Sequence, residues 1–268
     1  MTHPRLSIDA MSTFNWSFEQ DLALWKDLGV RYAGLLISKI AAAPADKFAR
    51  LRAAGIQSST VIAHSFDLRD PDTWQKTRAS QFDLIDLVAD TGGHSIYFTP
   101  GRTTGAPWRE VLDVFARAVA PSVTHARKRG VHIAIEPSLR TDVSFVNNIR
   151  DAIDVAERTG VEIVADFGNM WMERDGREVL KRAAPHLALI QICDVIIGAT
   201  GKPPAGGRVH IGEGELPLHR LMHEVLDAGY QGVFDLEVLG PLIEKEGYET
   251  SVRRGVASAS ALLTEMGL

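Results

Sequence analysis

The chain has 268 residues, close to the ~250 typical of one large α/β barrel, and folding at that size buries roughly three quarters of the unfolded surface without help from a disulfide or structural metal. Its 45% hydrophobic and 24% charged residues match an ordinary globular composition. A net charge of −5 and a pI near 6.0 argue against a nucleic-acid partner, and the lone Cys193 excludes an internal disulfide.

Short apolar, β-branched runs alternate with helical periodicity from end to end. In chain order, strand Arg5–Asp9 leads to helix Phe18–Leu28, Tyr32–Ile37 to Ala45–Ala54, and Gln57–Ile62 to Pro71–Thr91. Strand Ser95–Thr99 then leads to helix Trp108–Arg129, and His132–Glu136 to Asn147–Thr159. The last three pairs are Glu162–Asp166 with Glu173–Ala184, Leu187–Cys193 with Pro217–Ala228, and Val233–Glu237 with Tyr248–Met266. Eight such units allow a closed barrel or an open doubly wound sheet. Four helices end at a glycine directly before the next strand (Gly29, Gly55, Gly130, Gly160), punctuation that favours a (β/α)₈ TIM barrel. No linker composition divides the chain, so one domain over residues 1–268 is expected. No basic leader with an apolar segment opens it and no apolar run approaches the roughly 18 residues of a membrane span, so the cytoplasm is the expected location, without a membrane partner. The irregular stretch Val195 to Arg208 follows strand seven, and its Gly/Pro-rich composition suits either a substrate lid or a plain surface insertion.

The last four strands end in a carboxylate or amide: Ile135-Glu136-Pro137, Ala165-Asp166-Phe167, Ile190-Gln191-Ile192 and Leu236-Glu237. The intervals are 30, 25 and 46 residues, where about 30 per strand–helix unit is expected and the longest contains the irregular stretch. An unpaired buried charge is costly, and three anions around one rim repel one another, so a cation gathered by Glu136, Asp166, Gln191 and Glu237 explains the pattern better than four separate rim residues. Three carboxylates and an amide oxygen form a hard donor set suited to Mn²⁺ or Mg²⁺, with Co²⁺ and Zn²⁺ also accommodated. A cation there acidifies the C–H beside a chelated carbonyl, and Glu136 and Glu237 can then carry the proton.

These residues resemble the sugar phosphate isomerase/epimerase superfamily of xylose isomerase-like TIM barrels. That group contains ketose 3-epimerases, inosose dehydratases, 3-dehydroshikimate dehydratases and the endonuclease IV type of repair enzyme. The marks are Ile135-Glu136-Pro137, Ala165-Asp166-Phe167-Gly168, Ile190-Gln191-Ile192-Cys193-Asp194, Leu236-Glu237, and above all Arg208-Val-His-Ile-Gly-Glu-Gly-Glu215. The resemblance implies that Glu136, Asp166, Gln191 and Glu237 are metal ligands, with the two glutamates doubling as acid and base. It also implies that Arg208 and His210 touch a small-molecule substrate, and that the protein is a homodimer or homotetramer. Two departures stand out. Gln191 replaces the histidine of most epimerases and looks more like bacterial 3-dehydroshikimate dehydratases. Asn169 stands where relatives often carry a histidine, so only a substrate hydrogen bond carries over to it.

Other residues are weighed from their register. His64, just past strand three, lies on the expected active-site rim and is read as a substrate contact or a structural histidine. Asp194 is expected to orient the neighbouring rim. Lys39 after strand two is read as a substrate-binding ammonium or a surface lysine. Cys193 shares the inward parity of Gln191 and is expected to be an inert buried thiol. The leading expectation is a metal-dependent isomerase or epimerase of a sugar-like or polyhydroxylated keto compound, with a metal-dependent lyase or dehydratase as the alternative. An endonuclease is disfavoured because neither a histidine-rich metal site nor a basic face is present.

Overall fold

Leu, Ile and Val runs too short for helices become parallel strands that close on themselves. The computed structural model describes residues 1–197 and 207–268. The strands in chain order are β1 (Leu6–Asp9), β2 (Tyr32–Leu36), β3 (Gln57–Ile62), β4 (Ser95–Phe98), β5 (His132–Ile135), β6 (Glu162–Asp166) and β7 (Leu187–Ile192). Two short strands, β8 (Asp194–Val195) and β9 (Arg208–Val209), form a separate antiparallel ribbon, and β10 (Phe234–Leu236) completes the barrel. The closed order is β1-β10-β7-β6-β5-β4-β3-β2, which is the predicted (β/α)₈ TIM barrel.

Helices cover the outside: α1 (Phe18–Asp27), α2 (Ile37–Ile40), α3 (Pro44–Ala53), α4 (Trp74–Thr91), α5 (Trp108–Arg129), α6 (Ile149–Thr159), α7 (Phe167–Met170), α8 (Gly176–Ala183), α9 (Leu218–Asp227), α10 (Pro241–Glu246) and α11 (Tyr248–Glu265). Gly29, Gly55, Gly130 and Gly160 all adopt positive φ, so the predicted helix-ending turns form where a side chain would be strained. Among the described residues no helix is long and apolar enough to cross a membrane.

Alternation along each strand divides the apolar residues into two populations. Outward side chains join the helices in one large core, whereas Tyr97, Ala134, Val164, Ala188 and Leu189 form a smaller cluster inside the barrel. Register then sets the floor of the mouth. Asp166 pairs with Gln191 and Gln191 with Asp235, so these three lie at one level on three adjacent strands. Glu237 and Asp9 stand two residues beyond Asp235 and Ser7, which are themselves paired. Period two therefore carries both along the same inward face, one layer nearer the mouth. On β2 the position facing them is Gly34, where a Cβ would meet Asp9 Oδ2 at 2.7 Å and Asp235 Oδ2 at 3.2 Å. A side chain there would fill the space that the two carboxylates occupy.

Candidate metal centre

Glu136 extends β5 by one residue, its N–H donating to the Phe98 carbonyl at 3.1 Å. Glu237 extends β10 in the same way onto the Ile192 carbonyl at 3.2 Å. Asp166 is the last residue of β6 and caps α7 through the Gly168 N–H at 2.9 Å. One carboxylate oxygen from each of Glu136, Asp166 and Glu237 lies within 4.8 Å of the others. Asp166 and Glu237 are almost fully buried, while Glu136 keeps a face open to the cavity. Gln191, fully buried on β7, donates from Nε2 to the Tyr97 hydroxyl at 3.0 Å and leaves Oε1 without a partner among the described residues. Glu237 Oε2 is likewise without a hydrogen bond: Arg208 Nη1 is 3.2 Å away but poorly aligned. Clustered hard oxygens with free lone pairs in a largely buried pocket are what a divalent cation requires, so the residues present fit one.

The electrostatics agree. Burial, reinforced by Glu237 and Asp166, holds the Glu136 carboxyl well above the usual carboxylate range. Burial also pushes Glu237 up to about 7, against the opposing pull of Arg208. Part of the expected repulsion is already met inside the chain. Arg208, 5% exposed, pairs with Asp166 and donates to the Glu237 carbonyl at 2.8 Å. Arg208 is thus a counter-ion of the cluster as well as a wall of the cavity above it.

Asn169 on α7 donates from Nδ2 to Glu136 Oε1 at 3.0 Å and to Asp166 Oδ2 at 2.8 Å. Its side-chain oxygen accepts the Leu139 N–H at 3.3 Å. Both ends of the amide are therefore used on the chain itself, so Asn169 orients two carboxylates where a substrate hydrogen bond was expected. Asp194 touches none of the cluster. Its carboxylate accepts four backbone N–H bonds, from Val195, Gly212, Gly214 and Leu216, at 2.8–3.1 Å. A Cβ on Gly214 would sit 2.2 Å from Asp194 Oδ1. That contact gives the Gly-Glu-Gly-Glu signature a physical reason, because the turn folds around a buried carboxylate and hangs the β8–β9 ribbon, with Arg208, over the mouth.

Three expectations are corrected. His64 is exposed and lies outside the lining of the cavity, to which its neighbours Ala63 and Ser65 contribute. His210, just past β9, turns from the mouth toward α10 and α11, its Nε2 meeting Glu246 at 2.6 Å and the Ser251 hydroxyl at 3.3 Å. Lys39 is neither a substrate contact nor a surface residue. Its ammonium donates to the Ala10 and Thr13 carbonyls, the Thr13 hydroxyl and Asp21, all at 2.8–3.1 Å. Cys193 is fully buried beside Asp166, and burial raises its thiol well above the ordinary value, as an inert cysteine requires. Most of the irregular stretch, residues 198–206, lies outside the described residues.

Tyr97, Asp9 and Asp235 escaped the sequence reading. Asp9 caps the turn after β1 through the Met11 N–H at 2.7 Å, and burial followed by the Asp235 charge raises its carboxyl well above normal. Burial pushes Asp235 to about 6. Both signals were legible: Asp9 also ends an apolar strand, and Asp235 is two residues from Glu237 and so shares its face. Above this floor lies a cavity of about 200 Å³, walled by the Ser65, Thr99 and Ser138 hydroxyls, Arg140 and the apolar Met11, Ile62, Val143 and Leu239. That is below the ~300–1,000 Å³ usual for drug-sized ligands and suits a small, partly polar metabolite.

The comparisons with known proteins fall on the same fold. A search of curated proteins finds no match. Among solved structures, a zinc-bound IolI protein superposes with a TM-score of 0.86 at 18% identity, covering 97% of this chain and 98% of that one. Protein SMc04130 from Sinorhizobium meliloti 1021 gives 0.85 at 20% identity over 95% and 96%. D-psicose 3-epimerase from Clostridium cellulolyticum H10, solved with D-tagatose, gives 0.74 at 15% identity over 95% and 96%. At these identities the likeness speaks for the fold alone. The family model described as xylose isomerase-like TIM barrel matches residues 22–257. The chain belongs to the xylose isomerase-like TIM barrel family.

Proposed function

We propose that the protein is a divalent-metal-dependent isomerase or epimerase of a small sugar-like or polyhydroxylated keto compound. The observation that carries this reading is the convergence of Glu136, Asp166 and Glu237 within 4.8 Å, beside the unpartnered oxygens of Gln191 and Glu237. A divalent ion held by Glu136, Asp166, Gln191 and Glu237 supplies Lewis acidity that lowers the pKa of a C–H next to a bound carbonyl. The oxygen-only donor set favours Mn²⁺ or Mg²⁺, while the zinc of the IolI structure supports Zn²⁺ as a competitor.

The chain's own residues do the rest. Glu237, with a carboxyl near 7 in the ion-free chain, is the group best placed to remove a proton near neutral pH. Glu136, whose carboxyl is raised above the usual carboxylate range by burial and its anionic neighbours, is the group to return one. Arg208 faces the same cavity and is placed to stabilise negative charge gathering on a substrate oxygen. Met11, Ile62 and Leu239 give the cavity above them an apolar wall. The D-psicose 3-epimerase likeness supports a ketose-like substrate.

Gln191 favours a second reading, loss of a β-hydroxyl after the same proton abstraction, as in the dehydratases that share glutamine at this strand end. Incubation in D₂O with ketoses, inososes and dehydroshikimate-like acids separates the two. Deuterium gained without loss of water identifies an isomerase or epimerase, and a rising enone absorbance identifies a lyase. Metal-loaded protein that exchanges no substrate C–H in any of the three classes contradicts both.

A further inference from the structure

Gln191 brings to the site an amide whose two ends are opposite in kind. Oε1 can bind a cation, whereas the Nε2 end repels one. Whichever group fixes the amide rotamer therefore decides whether position 191 can serve as a ligand. Tyr97 makes that contact from β4, on the other side of the barrel, with its phenol oxygen 3.0 Å from Gln191 Nε2.

The polarity of the contact lies in its geometry. The Tyr97 hydroxyl is buried and accepts the Gln191 Nε2–H at 3.0 Å, which fixes the nitrogen end of the amide. The carbonyl end is left over, fully buried and without a partner among the described residues.

We propose that Tyr97 is a positioning residue of the metal centre, holding the Gln191 amide by its nitrogen so that Oε1 is the end presented to a cation. The inference rests on the metal centre of the proposed function and adds to it a selector for ligand orientation. Because Tyr97 acts through the asymmetry of an amide, replacing Gln191 with a carboxylate, whose two ends are alike, removes the need for selection.

The test is a Mn²⁺ titration by calorimetry on the purified full-length, metal-stripped chain, with a thermal melt of each variant. Tyr97→Phe is expected to keep a cooperative melt and to bind Mn²⁺ about 10–100-fold more weakly, the usual effect of losing a partner that orients a ligand. In the Gln191→Glu background, adding Tyr97→Phe is expected to change the affinity by less than about twofold, a coupling that independent sites would not show. A Tyr97→Phe variant that binds as tightly as the wild type overturns the proposal. So does an equal loss in both backgrounds, which would mean general damage to the cavity. A wild-type chain that takes up no Mn²⁺ refutes the metal centre itself, an outcome distinct from the other two.

Discussion

Two clusters of buried charge flank the barrel mouth, and they differ in how completely they are satisfied. Beside β1 and β2, the Lys39 ammonium has four oxygen partners at 2.8–3.1 Å and ties α2 to α1 through Asp21. Across the mouth, Asp166 and Glu237 share Arg208, while Gln191 Oε1 and Glu237 Oε2 accept no hydrogen bond among the described residues. A saturated buried ion pair is architecture. An unsaturated one retains capacity for a ligand, and the barrel bears the cost of leaving it so.

Substitutions can break this contrast. The largest effect is expected from Glu237→Gln, which should reduce turnover by about 10²–10⁴-fold while the protein still melts cooperatively, because the amide keeps the volume and loses the proton chemistry. A variant with wild-type turnover would remove Glu237 from the acid/base role. Next come two substitutions of similar size and opposite response. Lys39→Ala strands Asp21 and Arg208→Ala strands Asp166 and Glu237, and each should destabilise the metal-free protein by about 3–5 kcal/mol. Adding Mn²⁺ should recover about 2.7 kcal/mol at a hundredfold excess over Kd in Arg208→Ala, if the cation replaces the lost guanidinium. Compared with wild type at the same Mn²⁺ concentration, Arg208→Ala should lie closer than it does without metal, because a site freed of the competing guanidinium binds the cation more tightly, whereas Lys39→Ala should keep its full deficit. Denaturant melts with and without metal read both, and equal behaviour of the two variants would erase the distinction.

The smallest effect sharpens the comparison through pH. Glu237 near 7 and Asp235 near 6 both sit above their unfolded values of 4.5 and 3.8. The native state then holds more protons than the unfolded one between those limits, so the stability these groups contribute is full below about 4 and is lost as pH rises through about 7. Metal-free protein should accordingly lose stability from pH 5 to 8, and saturating Mn²⁺ should flatten the slope. A metal-free slope of opposite sign would show that the cluster does not govern it.

The barrel was legible because each strand is a short apolar run and four of the intervening helices end at a glycine that needs positive φ. The four-residue helices α2 and α7, the six-residue α10 and the two-residue β8 and β9 were not, since none is long enough to show a period. At the site, strand-end carboxylates stood out against apolar runs, whereas the Lys39–Asp21 pair joins residues 18 positions apart on different elements. Nothing local marks Lys39 as satisfied. His210 illustrates the converse limit: the motif places it just after β9, but which way it turns depends on Glu246 and Ser251, both further along the chain.

The most direct test of the account is a crystal structure of protein loaded with Mn²⁺, with anomalous scattering to locate the ion. The account predicts one strong peak within bonding distance of Glu136, Asp166, Gln191 Oε1 and Glu237. A peak bound elsewhere, or fully loaded crystals with Arg208 still filling the space between Asp166 and Glu237 and no ion beside it, would contradict it.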